Sequence, residues 1–531
     1  MYKDPRGALV PDGSPFSQSS ERPERARSPF GLTKGQFWCG IAILIVYLTL
    51  SIGSVFTAAP QTDEAVLANP GYNLVHHHNM GTTLYQLGDY MPSSLAQHTY
   101  WLPPLHFVTT AVWFQIWGFG MPQLRLLSVL FGMLAIISWF LVVYHLQKVG
   151  WMALLAAGLV STDYFFLIGA SHGRMDIMCA SLGAAALASY AAFRERSLKK
   201  AVLCSHTLAA LALVTHPAGI VYPAGLLVMV LWLDARRVSL RLAMLAVVPY
   251  IVVEAAWGIY IMQDYSAFLA QFGRNLELNV NSFSDPRLSS NRFLRYLEQE
   301  VVFRYAAPFG LLPGTSLINH AKAIVFVAYS ISVAGLLALR RLRSDRPASV
   351  LALLFLTSFF LLAEISPSKF SYYLPHTTTV LAACLGVFLY KVDAPRFVKL
   401  AAILAVGGLG ISGTVYNMKR DAYHRSFKPT VASILSNSPS ESLVMGSGEL
   451  WFGLAERRTV LHDTLLGAHS GLRPAVFVMD PVYQMLHERD KQAAPEVYVH
   501  VEQLLQHSRL VHQDGYYRVY VPQPGPPAVR N

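Results

Sequence analysis

Phe37–Glu64 reads FWCGIAILIVYLTLSIGSVFTAAPQTDE: 21 residues from Phe37 to Thr57 without a charged group, then a short connection and an acidic pair. A run of ~20 apolar residues is enough for a helix to cross the hydrocarbon core of a bilayer. The stretch therefore predicts a membrane span with carboxylates set just beyond its far end. A tail of 36 residues precedes it, and the run is too long for a signal-peptide core, so an uncleaved anchor is expected.

The pattern repeats along the chain. Spans are expected at 37–57, 125–146, 151–170, 177–193, 201–215, 217–233, 242–262, 321–339, 348–363, 376–390 and 400–418. Composition agrees, with 53% hydrophobic residues, 14% charged residues and a mean hydropathy of +0.38, far from an ordinary soluble domain. The fold class that follows is an all-α polytopic membrane protein with about eleven transmembrane helices. The pI of 9.4 is not a nucleic-acid signal, because basic residues in such proteins collect in the loops that set topology. Cys39, Cys179, Cys204 and Cys384 all fall in or beside apolar segments, and no CxxC occurs, so neither a disulfide framework nor a cysteine metal site is expected.

Lysine and arginine fix the sidedness. From Gln36 to Leu124 neither occurs, although the stretch holds a polar loop, whereas the tail carries Arg22, Arg25, Arg27 and Lys34. Tail in and loop out is the expected arrangement. Alternation then puts the basic connections 147–150, 194–200, 234–241, 340–346 and 391–399 inside. Outside lie the loop 58–124, the junction 171–176, the loop 263–320 and the turn 364–375. Residues 103–118, with Trp113, Phe114 and Trp117, are expected as an amphipathic helix in the outer interface rather than a span.

Three parts result: a disordered cytoplasmic tail over 1–36, a membrane domain over 37–419, and an extracytoplasmic domain over 420–531. The last alternates strand-like runs (443–445, 475–479, 516–521) with helix-like stretches (482–491, 497–507), which suggests a small α/β unit.

Walker A, GxGxxG, HExxH, GxSxG and Asp-x-Asp patterns are all absent. What stands out is polar side chains gathered on one membrane face. Thr62-Asp63-Glu64 reads either as a capped helix start or as a general base at the mouth of a cavity. His172-Gly173-Arg174-Met175-Asp176 offers an interfacial ion pair, or a site for a phosphate and an acceptor hydroxyl. In the turn Pro367-Ser368-Lys369-Phe370-Ser371-Tyr372-Tyr373-Leu374-Pro375, Lys369 and the tyrosines read as snorkelling anchors or as a lipid-phosphate site. His76-His77-His78 is set aside as a metal site, because adjacent residues project differently. Asp163 and Glu254, acids inside predicted spans, are suggestive but have no evident partners.

In their order these clusters resemble the GT-C class of polytopic glycosyltransferases, in the branch of protein O-mannosyltransferases and the bacterial transferases that add aminoarabinose to lipid A. The matching pieces are Asp63-Glu64, Tyr100-Trp101-Leu102-Pro103-Pro104-Leu105, Arg125-Leu126-Leu127-Ser128-Val129-Leu130-Phe131-Gly132, Arg174-Met175-Asp176 and Lys369 with Tyr372-Tyr373-Leu374-Pro375. Leu102 stands where the branch commonly has His or Lys. The resemblance implies a polyprenyl-phosphate sugar donor and a glycan, lipid or protein acceptor. It implies a single inverting displacement in which Asp63 takes the acceptor proton, helped by Glu64 or Asp176. Arg174 and Lys369, with His172, Tyr372 and Tyr373 beside them, would hold the lipid phosphate. No cofactor is assigned and a divalent metal stays open. A bacterial inner membrane is expected, since no usable Asn-x-Ser/Thr sequon lies in the outward segments. The alternative classes are a transporter or lipid flippase, and a non-catalytic subunit of the same fold.

Overall fold

The computed structural model describes residues 31–85, 91–281, 289, 291–314, 317–366, 369–455 and 457–523. The expected disordered tail falls outside the described residues except for 31–36. There Thr33 and Gln36 form a capping box, each side chain accepting the other's backbone N–H, and helix α1 (Lys34–Thr57) begins three residues earlier than expected.

Onward run α2 (Thr62–His76), α3 (Leu105–Trp117), α4 (Met121–Gln147), α5 (Gly150–Thr162), α6 (Tyr164–Ser171), α7 (Met175–Phe193), α8 (Leu198–Leu213), α9 (Val221–Leu233) and α10 (Leu240–Ile261). After them come α11 (Tyr265–Asn281), α12 (Arg292–Gln299), α13 (Leu317–Ala338), α14 (Arg340–Arg343), α15 (Arg346–Ile365), α16 (Pro375–Lys391), α17 (Arg396–Arg420) and α18 (Lys428–Asn437). All eleven expected spans are helical. Among the described residues, seven helices (α1, α4, α7, α10, α13, α15 and α17) are long and apolar enough to cross a bilayer, and the bent pair α5–α6 makes eight if it counts as one span. The shorter α8, α9 and α16, at the other three expected positions, pack against the long ones.

Two expectations change in detail. The span 151–170 is broken, not continuous: Asp163 caps α6 by accepting from the Phe166 N–H, also accepts from the Tyr329 hydroxyl, and the two halves bend by 63°. Helix α3 is short, as expected, but not amphipathic. Phe107, Ala111 and Phe114 face inward on α2, while Val108, Val112, Ile116 and Trp117 are exposed. Thirteen residues reach only about 20 Å, too short for the hydrocarbon core. A helix packed on protein on one side and lying in lipid on the other has no need of a polar face.

Small residues let the centre close up. Helix α7, with Ala180, Gly183, Ala184, Ala186 and Ala188, packs against both α4 and α8. A methyl group on Gly386 would fall 2.7 Å from the Ala156 Cα, so α16 crosses α5 backbone to backbone there.

The basic connections gather at one end of the bundle. Lys148 pairs with Glu195, Arg194 and Arg237 with Asp234, and Lys391 with Asp345. The motif clusters meet at the other end, under the C-terminal sheet. That sheet has the order β2-β1-β3-β5-β4, with β1 (Leu443–Met445), β2 (Thr459–Leu461), β3 (Val476–Met479), β4 (Ser508–Gln513) and β5 (Arg518–Pro522). Strand β1 is parallel to β2 and β3, and β5 is antiparallel to β3 and β4. Helices α19 (Trp451–Leu454), α20 (Pro481–Ala493) and α21 (Pro495–Gln506) pack beside it. The expected strand runs fall on β1, β3 and β5 and the expected helices on α20 and α21. Strands β2 and β4 were not foreseen: β2 is three residues long, and β4 (SRLVHQ) carries a bulge between Leu510 and His512 that disturbs any alternation.

Candidate functional site

Arg125, in the first turn of α4, is fully buried and all five of its guanidinium N–H groups are used. Two go to Glu64 in a fork, Nε to Oε1 and Nη2 to Oε2, each at 2.7 Å. The other three go to the carbonyls of Val55, Ala58 and Ala59, where α1 ends and helix carbonyls lose their intrahelical donors. Glu64 also accepts the N–H groups of Gly173 at 2.7 Å and Gln61 at 2.9 Å. Burial alone would raise the Glu64 pKa, but the Arg125 charge and hydrogen bonds win and hold it at about 2. One ion pair thus joins the end of α1, the starts of α2 and α4, and the α6–α7 junction. It leaves Glu64 no free lone pair with which to act as a base.

Arg174 makes the second junction. Its Nε donates to Asp176 Oδ2 at 2.9 Å, its Nη1 donates to Asp63, and its guanidinium carbon lies 4.0 Å above the Tyr372 ring. Asp176 is buried, whereas the Asp63 side chain is 51% exposed, so only Asp63 can meet an incoming group. The cationless loop suggested that nothing would neutralise Asp63. Arg174 does, reaching it from 111 residues away. Nη2 makes no hydrogen bond among the described residues and remains for an anion. Burial raises the Tyr372 pKa, which keeps its hydroxyl a donor near neutral pH. His172 is buried behind this pair with Nδ1 2.7 Å from the Ile168 carbonyl, and burial lowers its pKa.

Lys369 lies elsewhere. It is fully buried, donates to the Ala363 carbonyl at 2.6 Å and faces Glu300 at 3.3 Å. Glu300 in turn accepts from Arg304, which donates also to Ser366 and lies 5.3 Å from the Tyr373 ring. Burial and then Asp176 push the Tyr373 pKa to about 12. Tyr372 and Tyr373 therefore separate the roles: one touches Arg174, the other touches the Arg304–Glu300–Lys369 group. The lysine expected on the phosphate is held by its own ion pair. Pro367 and Ser368 of the same motif lie outside the described residues.

Two adjoining cavities open beside this centre. One of about 330 Å³ is lined by Tyr372, Ser371, Ile168 and Lys322, and one of about 520 Å³ by Lys322, Val406, Tyr416 and Arg420; both share Tyr164 and Phe165.

The C-terminal domain docks beside Asp63, which stays half exposed, through contacts that sequence gave no signal for. Thr62 donates to Glu449 Oε2 at 2.6 Å, and Tyr517 donates to Oε1 at 3.2 Å. The Leu84 carbonyl accepts from the His462 N–H, and Tyr72 packs edge-on against Trp451. Burial, and then the Asp480 carboxylate, push the Glu449 pKa to about 8. An acid with a raised folded pKa favours the folded state most below its unfolded pKa of ~4.5, and loses that advantage as pH rises through about 8. Thermal unfolding in detergent should therefore show the domain loosening between pH 5 and 8, and Glu449→Gln should flatten that slope.

No protein-family model and no curated protein matches this sequence. Solved structures do match. ArnT from Cupriavidus metallidurans in the apo state superposes with a TM-score of 0.60 at 16% identity, over 92% of this chain and 98% of that one. The same protein bound to undecaprenyl phosphate gives 0.54 at 15% identity, over 91% and 98%. The Archaeoglobus fulgidus oligosaccharyltransferase in the apo form gives 0.52 at 13% identity, over 84% and 69%. This chain has the GT-C glycosyltransferase fold.

Within the GT-C fold the motif residues divide by burial. Asp63 and Tyr372 reach the mouth, Arg174 joins them to the buried Asp176, Glu64 and His172 lie behind, and Lys369 to one side. Arg125 stood in a quoted motif without a role, and its five bonds depend on helix ends far apart in sequence. Glu300, Arg304 and Glu449 sit in stretches without a recognisable pattern.

Proposed function

We propose that the chain is a membrane glycosyltransferase that moves a sugar from a polyprenyl-phosphate donor to a hydroxyl-bearing acceptor on the outer face of the membrane. The observation that carries this is Arg174, shared between an exposed and a buried carboxylate and stacked on Tyr372, whose ring lines a cavity continued between α6 and α13. ArnT from Cupriavidus metallidurans, which shares this fold, has been solved bound to undecaprenyl phosphate, which supports a donor of that class.

In the reaction, the acceptor oxygen attacks the anomeric carbon as the bond from that carbon to the phosphate oxygen breaks. The electron pair leaves with the phosphate, configuration inverts, and the acceptor proton passes to Asp63 and then to water. Arg174 and the Tyr372 hydroxyl stabilise the charge on the departing phosphate. Asp176 holds Arg174 in place. Glu64, committed to Arg125, and Lys369, committed to Glu300, are positioning residues. The acceptor is lipid A, a polysaccharide or a protein. The proposal keeps the division into a membrane domain, 37–419, with outer loops 58–124 and 263–320, and an outer domain, 420–531, in a bacterial inner membrane.

The transporter reading leaned on Asp163 and Glu254. Asp163 has both carboxylate oxygens bonded at the α5–α6 bend, which commits it to that joint, and Glu254 stands on α10, most of whose surface is exposed rather than turned to the bundle interior.

Purified protein given a panel of polyprenyl-phosphate sugars with candidate acceptors should release free polyprenyl phosphate. In that assay Arg174→Gln should raise the donor KM and Lys369→Met should leave it near normal; no release from any donor would overturn the reading. Orientation has its own test. Alkaline phosphatase fused after residue 531 should be active in a bacterial host, and fused after Arg343 it should be silent. The reverse pattern would put the site inside.

A further inference from the structure

Beneath Arg174, on the side away from Asp63, three helix ends bring imidazoles onto one carboxylate. Asp176 comes from the first turn of α7, His216 from the turn before α9, and His376 from the first turn of α16. All three are buried, and one ligand atom from each lies within 4.8 Å of the others. Asp176 Oδ1 and His376 Nε2 have no hydrogen-bond partner. Neighbouring His106 is buried with both ring nitrogens unpartnered, and it feels the charges of Asp176 and His216. Buried polar atoms without partners are uncommon and costly. Here they converge on one point.

We propose that Asp176, His216 and His376 bind a divalent transition metal, with Zn²⁺ the best match for two imidazoles and a carboxylate. The surrounding bonds are those such ligands need. The other Asp176 oxygen is held by Arg174, and His376 Nδ1 lies 2.9 Å from the Tyr222 hydroxyl, so a proton on Nδ1 leaves the Nε2 lone pair for the metal. His216 is the adjustable member. Its Nδ1 accepts the Ala218 N–H at 3.0 Å, so ligation requires the ring to turn or release that bond, a small loss beside metal ligation. His106 is the reserve for a fourth ligand.

The metal has a positioning role, since its ligands lie behind Arg174 and none of them reaches the mouth. It ties α7, the turn before α9, and α16 together. It also offsets the Asp176 charge, which leaves more of the Arg174 guanidinium to Asp63 and the donor anion. The site does not rest on the transfer reaction: a chain that binds zinc and moves no sugar would keep the site and lose the function.

The test is metal analysis of the full chain purified in detergent without chelator and incubated with Zn²⁺, then desalted. About one tightly held zinc per chain is expected, as for a closed protein site. His376→Gln and Asp176→Asn should each lose it while eluting as the same monodisperse species, and His216→Gln should weaken it. A variant with His76, His77 and His78 all changed to Gln should keep its zinc, which separates surface histidines from the buried set. If the buried variants fail to fold, Co²⁺ loading of the unaltered chain should give the visible bands of a tetrahedral N/O site. Zinc absent from the unaltered chain together with no such Co²⁺ bands would overturn the proposal. So would zinc retained by folded His376→Gln and Asp176→Asn.

Discussion

Asp63→Asn should reduce kcat by ~10²–10⁴, the loss ordinary for a general base, while the donor KM stays within a few-fold of normal. The substitution preserves size and leaves an amide oxygen for Arg174, so the guanidinium should keep its place. What disappears is a carboxylate able to take a proton. Asp63 is the acid with half its side chain exposed at the mouth, whereas Asp176 and Glu64 are closed in by their arginines. The kcat–KM split is the informative part of the measurement. If kcat were near normal in Asp63→Asn and vanished in Asp176→Asn, the base would be Asp176 and the acceptor would approach from the buried side.

The second large effect concerns stability. Arg125→Leu leaves the Glu64 carboxylate buried with only two backbone donors, and Glu64→Leu leaves a buried guanidinium with three carbonyls. Breaking one side of a buried ion pair costs about 3–5 kcal/mol, so each single variant should melt well below the unaltered chain in detergent, with transfer lost through unfolding. The double variant, with both charges gone, should recover part of that loss, because no uncompensated charge is left. Additive losses in the double variant would mean that the three α1 carbonyls, and not Glu64, are the main partners of Arg125.

Much of this protein was legible in one dimension. Phe37–Thr57 could only be a span, since ~20 consecutive apolar residues have no better place than a bilayer. The basic connections marked one side, and in three dimensions Lys148, Arg194 and Lys391 do share one end of the bundle. Asp63, Arg174 and Tyr372 were picked out by residue type and by falling at span ends on one face, and they meet.

Partner choice was not legible. Whether Glu64 is a base or a clamp depends on Arg125, 61 residues away. Whether Lys369 meets the donor or an acid depends on Glu300, at the head of the π-helical turn Glu300–Ala306. The break at Asp163 involves the Tyr329 hydroxyl from α13, and the docking of the C-terminal domain beside Asp63 uses Glu449, 387 residues beyond Thr62. Hydrophobic length and charge bias are properties of a segment, so sequence alone determined the apolar helices, the basic end of the bundle and the polar face opposite it. A carboxylate's role is set by what lies within about 3 Å of it, and in a bundle those neighbours come from helices far apart along the chain, so only the tertiary structure could decide which acid is spent and which is free.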